Sequence, residues 1–313
     1  MQKRQLGNNG PELTLIGFGA WAIGGPWQFG WGKVDDNVSI QAIHAALDNG
    51  INWIDTAAVY GFGHSEKVVA KAVKGIRDKV FIATKCGLVN DGKGNAINNN
   101  SPDSIRNEVE ESLKRLETDI IDLYQIHWPD PNVPVEDSWA AMVQLQKEGK
   151  VRFIGVSNFD IPLLEKCMSI AQVQSLQPPY SMLKRDYEES ILPYCLKNNI
   201  GVVAYSPMQA GLLSGKFDIN KLAEDDWRRK NFFFKGPFLS KALSLVEKLR
   251  PIAKKSGKTV GQLAIAWVLK NPAITSAIVG ARTAEQCREN IKAADYILSE
   301  DEMGEINKYL EEF

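Results

Sequence analysis

Four side chains with complementary chemistry stand at or just past the ends of short apolar runs. Asp55 closes the run in Ile54-Asp55-Thr56-Ala57, with Tyr60 shortly beyond it. Lys85 ends Ala83-Thr84-Lys85, and His127 ends Ile126-His127-Trp128. A tyrosine is a poor acid, with an ordinary pKa of about 10. A cation alongside favours its phenolate, so Lys85 beside Tyr60 is expected to lower that pKa. A carboxylate such as Asp55 would keep the lysine charged and fixed, and His127 would donate a hydrogen bond to an oxygen gaining charge. The set suits proton transfer onto a developing alkoxide. Taken singly, an aspartate at a strand end more often caps a helix and a lone histidine is more often structural. A buried lysine is rarer, because burial without a partner is costly. The joint placement of all four favours the chemical reading, whereas His44 and His64 read as structural histidines.

Such a set needs elements that bring distant segments together. Strand-length apolar runs fall at Leu13–Phe18, Asn52–Thr56, Val80–Lys85, Ile121–His127, Phe153–Ser157, Val173–Gln177, Gly201–Ser206 and Ser276–Gly280. Several are continuously apolar, as in parallel strands buried on both faces. Amphipathic helices alternate with them. Ser101-Pro102-Asp103 sets a capping hydroxyl before a proline at the first helical position. Asp160 opens another helix, and Ser299-Glu300-Asp301-Glu302 is a capping box. Gly50, Gly75, Gly149 and Gly257 stand where helices should stop. Eight strand–helix units in 313 residues predict a single α/β domain spanning 1–313, a (β/α)8 TIM barrel. The surplus length falls in 87–100, in 208–237, and in a helix pair (239–255 and 260–270) before the eighth strand. In such barrels the chemistry sits at the C-terminal ends of the strands, where Asp55, Tyr60, Lys85 and His127 stand.

Composition narrows the function. The chain carries 37 Lys+Arg against 38 Asp+Glu, for a net charge of −1, with no long block of one sign. That argues against nucleic acid and against a polybasic membrane surface. The longest strongly apolar run, Leu263 to Leu269, is far short of a membrane span. The N-terminus has no apolar core of a signal peptide. Cys86, Cys167, Cys195 and Cys287 are widely spaced, so neither a disulfide framework nor a zinc site is expected. These features predict a reduced, cytoplasmic, soluble protein that holds no metal.

Two motifs point elsewhere. Gly17-Phe18-Gly19-Ala20-Trp21-Ala22 follows a strand and matches a dinucleotide fingerprint, with Asp35 and Asp36 downstream. That fingerprint needs a helix at its glycines, and Gly24-Gly25-Pro26-Trp27 breaks one. Tyr180-Ser181-Met182-Leu183-Lys184 is a Tyr-x-x-x-Lys pair like that of short-chain dehydrogenases. It needs a helix to put both residues on one face, and Pro178-Pro179 stand directly before it.

The motifs as a whole resemble the aldo-keto reductases. The resemblance runs from Ile16-Gly17-Phe18-Gly19 to Glu289-Asn290. It rests on Asp55-Thr56-Ala57 with Tyr60-Gly61, Ser65-Glu66, the Lys85 strand and Leu116-Glu117-Thr118-Asp119 through Tyr124 before His127. Ile154-Gly155-Val156-Ser157-Asn158-Phe159 and Val279-Gly280-Ala281-Arg282 complete it. The family's catalytic tetrad maps onto Asp55, Tyr60, Lys85 and His127 without departure. The resemblance implies reduction of aldehydes or ketones, with hydride from a nicotinamide cofactor and the proton from Tyr60.

For that cofactor the resemblance implies contacts from Gly19, Ala20, Trp21 and Asp55. Ser157, Asn158 and Gln177 would bond the carboxamide, and Tyr205 would stack on the ring. Ser206, Pro207, Met208, Gly211, Leu212, Gly215 and Lys216 would run along the pyrophosphate. Gly280, Arg282 and Thr283 open a helix onto a phosphate, with Gln286 and Asn290 facing the adenine. Arg282 favours NADPH over NADH. Trp21 and Trp128 would line the substrate pocket with Tyr60 and His127, while Trp27, Phe29, Trp31 and 227–234 either join them or pack loops. The family also resembles potassium-channel β-subunits, cofactor-binding regulators that often lack the histidine, so His127 favours an enzyme. The residues leave the oligomeric state open.

Overall fold

The computed structural model describes residues 1–224 and 226–313. The chain begins with an antiparallel hairpin of β1 (Lys3–Gln5) and β2 (Glu12–Thr14). Strands β3 (Ile16–Gly19), β4 (Trp53–Asp55) and β5 (Phe81–Cys86) follow. A second hairpin, β6 (Leu88–Asn90) and β7 (Ala96–Asn98), precedes β8 (Ile121–Ile126), β9 (Val151–Ser157), β10 (Ser175–Gln177), β11 (Gly201–Tyr205) and β12 (Ile274–Gly280). Eight of these, all parallel, close in the order β3-β4-β5-β8-β9-β10-β11-β12, with β12 pairing back onto β3. The (β/α)8 barrel expected from the sequence is the fold.

Helices α1 (Asp36–Asp48), α2 (His64–Ala72), α3 (Pro102–Leu116), α4 (Val135–Lys147), α5 (Ile161–Met168) and α6 (Ile191–Lys197) follow successive barrel strands. Then α7 (Gly236–Lys255) and α8 (Val260–Lys270) stand between β11 and β12, and α9 (Ala284–Ile291) and α10 (Glu300–Glu311) close the chain. The start signals act as read. Ser101 and Asp160 accept the first-turn amides of Ser104 and Leu163. Ser299 and Glu302 form a reciprocal capping box, an arrangement that holds two otherwise orphaned amides.

The barrel interior is filled by Trp53, Ala83, Leu123, Val203 and Ile278, and the N-terminal hairpin plugs its lower end with Leu6 and Leu13. Trp53 is fully buried, and its Nε1 donates to Ser276 Oγ at 3.1 Å. Its ring fills the space a side chain at Gly17 would need, coming within 2.1 Å of that Cβ position. Truncating so large a core residue to alanine costs ~3–5 kcal/mol.

Three segments differ from the sequence expectation. The single run 13–18 is two strands, because the Asn52 side chain takes the Thr14 amide at 2.9 Å and Thr14 Oγ1 donates to Ile16 O at 2.7 Å, so the chain turns from hairpin into barrel. The surplus at 87–100 is the β6–β7 hairpin, its turn held by Asp91 accepting the Lys93 and Asn95 amides. The described part of 208–237 is a chain of short 3-10 turns, Leu212–Ser214, Ile219–Lys221, Trp227–Lys230 and Phe232–Phe234. Both misleading motifs fall as expected. Gly19 leads into a 3-10 turn (Ala20–Ile23), and Asp35 caps α1. Ser181 and Lys184 pair across a tight turn, and the Tyr180 hydroxyl donates to Glu188.

Candidate active site

The C-terminal ends of β4 and β8 carry Asp55 and His127 to the floor of one cleft of about 1010 Å³, and β5 sets Lys85 behind Asp55, buried. Lys85 follows directly from β5's pairing with β4 and β8. The residue is 1% exposed, and its ammonium donates to Asp55 Oδ1 and Oδ2 at 2.9 and 2.7 Å, and to Thr56 O at 2.9 Å. It also lies 3.3 Å from the Tyr60 hydroxyl. Gln177, at the end of β10, donates its amide to Asp55 Oδ1 at 2.8 Å. The carboxylate therefore has three donor contacts in a site where an unpaired charge would be costly.

Tyr60 comes from the loop after β4. Its amide donates to Ala57 O, and its carbonyl accepts the Ser65 amide. Ser65 Oγ in turn donates to Ala20 O at 3.0 Å. Gly61 takes φ +63°, and a Cβ there would stand 1.8 Å from Gly24 O. Only glycine fits that turn, so the Tyr60-Gly61 pair is a geometric unit. The His127 ring meets the Tyr60 ring edge-on, with centroids 5.8 Å apart.

Burial dominates the electrostatics of this group. It lowers Lys85 and raises Asp55, each offset by the other's charge. It holds His127 well below the ordinary histidine value, with Lys85 adding to the effect, so the imidazole is neutral at pH 7. The expected lowering of Tyr60 is corrected here. Burial first, then the Asp55 and Tyr205 charges, push the phenol well above 10, since burial disfavours the charged phenolate. Tyr60 therefore stands protonated at neutral pH and can act as a donor.

From this floor the cleft extends in two directions. One wall carries Ser157, Asn158, Gln177, Tyr205, Ser206, Pro207, Met208, Gly211 and Lys216, and ends at Gly280, Arg282, Gln286 and Asn290. Tyr205 donates its hydroxyl to Asn158 Oδ1 at 2.9 Å, and Asn158 Nδ2 donates to His127 O at 3.0 Å. A single side-chain network thus joins β11, β9 and β8. Lys216 reaches across to Glu289 at 2.9 Å. The opposite wall is aromatic, with Trp21, Trp27, Phe29, Trp31, Trp128, Trp227 and Phe233.

Comparison with known proteins agrees with this geometry. Residues 15–311 match the Aldo/keto reductase family. The chain belongs to that family. It is 42% identical to the aldo-keto reductase YhdN of Bacillus subtilis (strain 168), covering 99% of this chain and 94% of that protein. It is 36% identical to the NADH-specific methylglyoxal reductase of Escherichia coli (strain K12), covering 96% and 95%. Among solved structures it resembles the glycerol dehydrogenase AKR11B4 of Gluconobacter oxydans, with a TM-score of 0.89, 37% identity and coverage of 99% and 95%. As an aldo-keto reductase it is an oxidoreductase that works with a nicotinamide cofactor. None of its described helices is long and apolar enough to cross a membrane.

Within the reductase, four residues expected to touch the cofactor do not line the cleft. Ala20 and Leu212 are fully buried beneath it. Gly215 turns toward Val260 of α8, and Thr283 spends its hydroxyl capping α9. In each case the motif's backbone stands near the cleft while the side-chain position faces the core or the helix. Gly19, Trp21 and Asp55 do line it, and Trp128 is 43% exposed at the rim. Leu88, Ala96 and Asn98 of the β6–β7 hairpin, with Thr259, line the cleft without having been singled out, and Lys184, read only as half of a misleading pair, lines it too. For the hairpin residues and Thr259 the sequence signal was the length of the segments after β5 and β11.

Proposed function

We propose that the protein is an NADPH-dependent carbonyl reductase, residues 1–313 acting as one barrel domain, with Tyr60 giving its proton to the oxygen of an aldehyde or ketone. The observation that carries this reading is the Tyr60 hydroxyl 3.3 Å from a buried lysine ammonium that both oxygens of Asp55 hold. Bound nicotinamide supplies the hydride.

The protein's own part is proton delivery and orientation. Neutral His127 donates one N–H to the carbonyl oxygen and aims it at Tyr60. As that oxygen gains charge, the Tyr60 proton moves onto it. The phenolate left behind faces Lys85, whose positive charge stabilises it where little water screens the pair. Asp55, tied by Gln177, keeps Lys85 charged and in place. The aromatic wall with Trp21 and Trp128 suits a carbonyl compound with an apolar body.

The polar wall fits the cofactor. Gly280 lines the cleft at the end of β12, its only near neighbour at a would-be Cβ being Gly19 O at 3.5 Å among the described residues. Ser157, Asn158 and Gln177 would hold the carboxamide and Tyr205 the ring face. The 206–216 loop, with Lys216, would follow the pyrophosphate. Gln286 and Asn290 would meet the adenine. Arg282 is exposed at the opening of α9, and among the described residues its one side-chain hydrogen bond is 3.5 Å to Lys33 O, which leaves most of its fork for a 2′-phosphate. That supports NADPH over NADH. The unpaired, buried cysteines support work in a reducing cytoplasm. The test is the fall of NADPH absorbance with 4-nitrobenzaldehyde. Absence of turnover with both NADPH and NADH would overturn the reading.

A further inference from the structure

We propose that Arg228 is a positioning residue that locks the aromatic, substrate-side wall of the cleft to the loop that lines its cofactor side. The inference rests on the reductase reading and adds to it a coupling between the two halves of the cleft.

The Arg228 side chain is only 12% exposed and works in three directions at once. Its Nε and Nη2 donate to Asp226 Oδ1 and Oδ2 at 3.0 and 2.6 Å. The same Oδ1 also accepts the Arg228 amide at 2.9 Å, so Asp226 fixes the fork's direction. Nη1 donates to Ala210 O at 3.2 Å. The planar face lies over the Trp31 ring, 4.3 Å from its centroid. One guanidinium thus joins the loop before α1, the loop after β11 and the Trp227–Lys230 turn.

Each tie bears on the cleft. Trp31 meets Trp21 edge-on at 5.4 Å, and Trp227 packs on Trp21 at 5.4 Å, so the three indoles form one wall with Trp31 held by Arg228. On the other side, Ser206, Gln209 and Ala210 take φ of +57°, +46° and +48°. Residues with a Cβ keep that left-handed backbone only where neighbours enforce it. The bond to Ala210 O is such an enforcement, and it sets the segment just ahead of Gly211. Arginine alone combines a bidentate fork, an additional donor and a stacking face, whereas lysine is a point charge. A ligand that orders the 206–216 loop therefore also orders the tryptophan wall through Arg228, and by linkage the substrate aids the cofactor equally.

The test uses the full chain and the variants Arg228→Met, Arg228→Lys and Asp226→Asn. NADPH is titrated by quenching of tryptophan fluorescence, and KM and kcat are measured with 4-nitrobenzaldehyde. For Arg228→Met we expect NADPH affinity to fall roughly tenfold, the scale of one charge-assisted hydrogen bond. The carbonyl KM should rise by a similar factor and kcat should stay within about threefold, since proton delivery is untouched. Arg228→Lys should not rescue either binding step. Should Arg228→Met fail to fold, Asp226→Asn frees the fork without removing it and should shift both binding steps the same way. Unchanged NADPH affinity and KM in the variants, full rescue by lysine, or a fall in kcat alone would overturn the proposal. The fluorescence titration judges Arg228 without turnover. A wild-type chain that binds NADPH but reduces no carbonyl sinks the reductase reading alone, and one that binds no NADPH sinks both.

Discussion

Replacing Lys85 by methionine separates what the buried ion pair does for the fold from what it does for the chemistry. Asp55 is 3% exposed and would keep only the Gln177 amide at 2.8 Å. Removing one partner of a buried pair costs ~3–5 kcal/mol. At ~2–4 °C per kcal/mol, that is a fall of about 10 °C in unfolding midpoint. Asp55 can escape part of this by taking a proton. Burial already raises its pKa, and losing Lys85 raises it further. A carboxyl raised in the folded state stabilises below its unfolded pKa and loses that contribution as pH rises. The deficit of Lys85→Met against wild type should therefore shrink from pH 8 to pH 5. Adding Asp55→Asn removes the stranded charge and should restore most of the midpoint at pH 8. Turnover should not return, because the Tyr60 phenolate would still lack its counter-charge; a loss of ~10²-fold or more is expected in both variants. Melting curves at pH 5 and 8, with NADPH oxidation by 4-nitrobenzaldehyde, read both effects. Turnover within a few-fold of wild type in Lys85→Met, or recovery of activity in the double variant, would refute the assignment.

Tyr60→Phe keeps the ring against Trp27 and His127 and removes the proton, so reduction should fall by at least ~10²-fold while NADPH affinity by fluorescence titration stays nearly unchanged. Arg282→Ala should weaken NADPH roughly 10- to 150-fold and leave NADH within a few-fold, the worth of a charge-assisted bond made only to the 2′-phosphate; equal losses would give Arg282 a role in the fold or the adenine pocket instead. His127 is held well below its ordinary pKa, so it gains a proton only at pH well under 6.5. The kcat/KM profile for reduction should therefore run level through pH 6.5, and an inflection there that vanishes in His127→Gln would contradict a neutral donor.

Much of the barrel was legible because its signals are local. The buried runs ending at Lys85 and His127, the Ser101 and Asp160 caps and the Ser299 capping box depend on near neighbours in the chain. The gathering of Asp55, Tyr60, Lys85 and His127 was legible for the same reason, since each ends or closely follows a strand. What escaped depends on distant partners. The break at Leu15 is made by the Asn52 side chain. The turns of 208–237 are organised by Trp21 and Trp31, roughly 200 residues earlier in the chain. The direction of the Tyr60 shift is set first by burial and then by the nearby Asp55 charge, neither of which any spacing encodes. Thr283 shows what a motif leaves unread: its hydroxyl also caps α9 by accepting the Gln286 amide.

Because β12 closes the barrel against β3, the first barrel strand synthesised waits for the last. Roughly 250 residues separate them, and at ~5–20 residues per second the β3 edge stays unpaired for about 10–50 s of synthesis. Asp55, Tyr60, Lys85 and His127 are all made within that interval, on strands that lack their closing neighbour. The barrel's ring of hydrogen bonds is therefore a non-local, late contact, the kind that slows folding. A chain cut short before Ile274 would present two open parallel edges, at β3 and β11, each a template for another chain. The closure that buries Lys85 thus also makes the far end of the chain the part on which escape from aggregation depends.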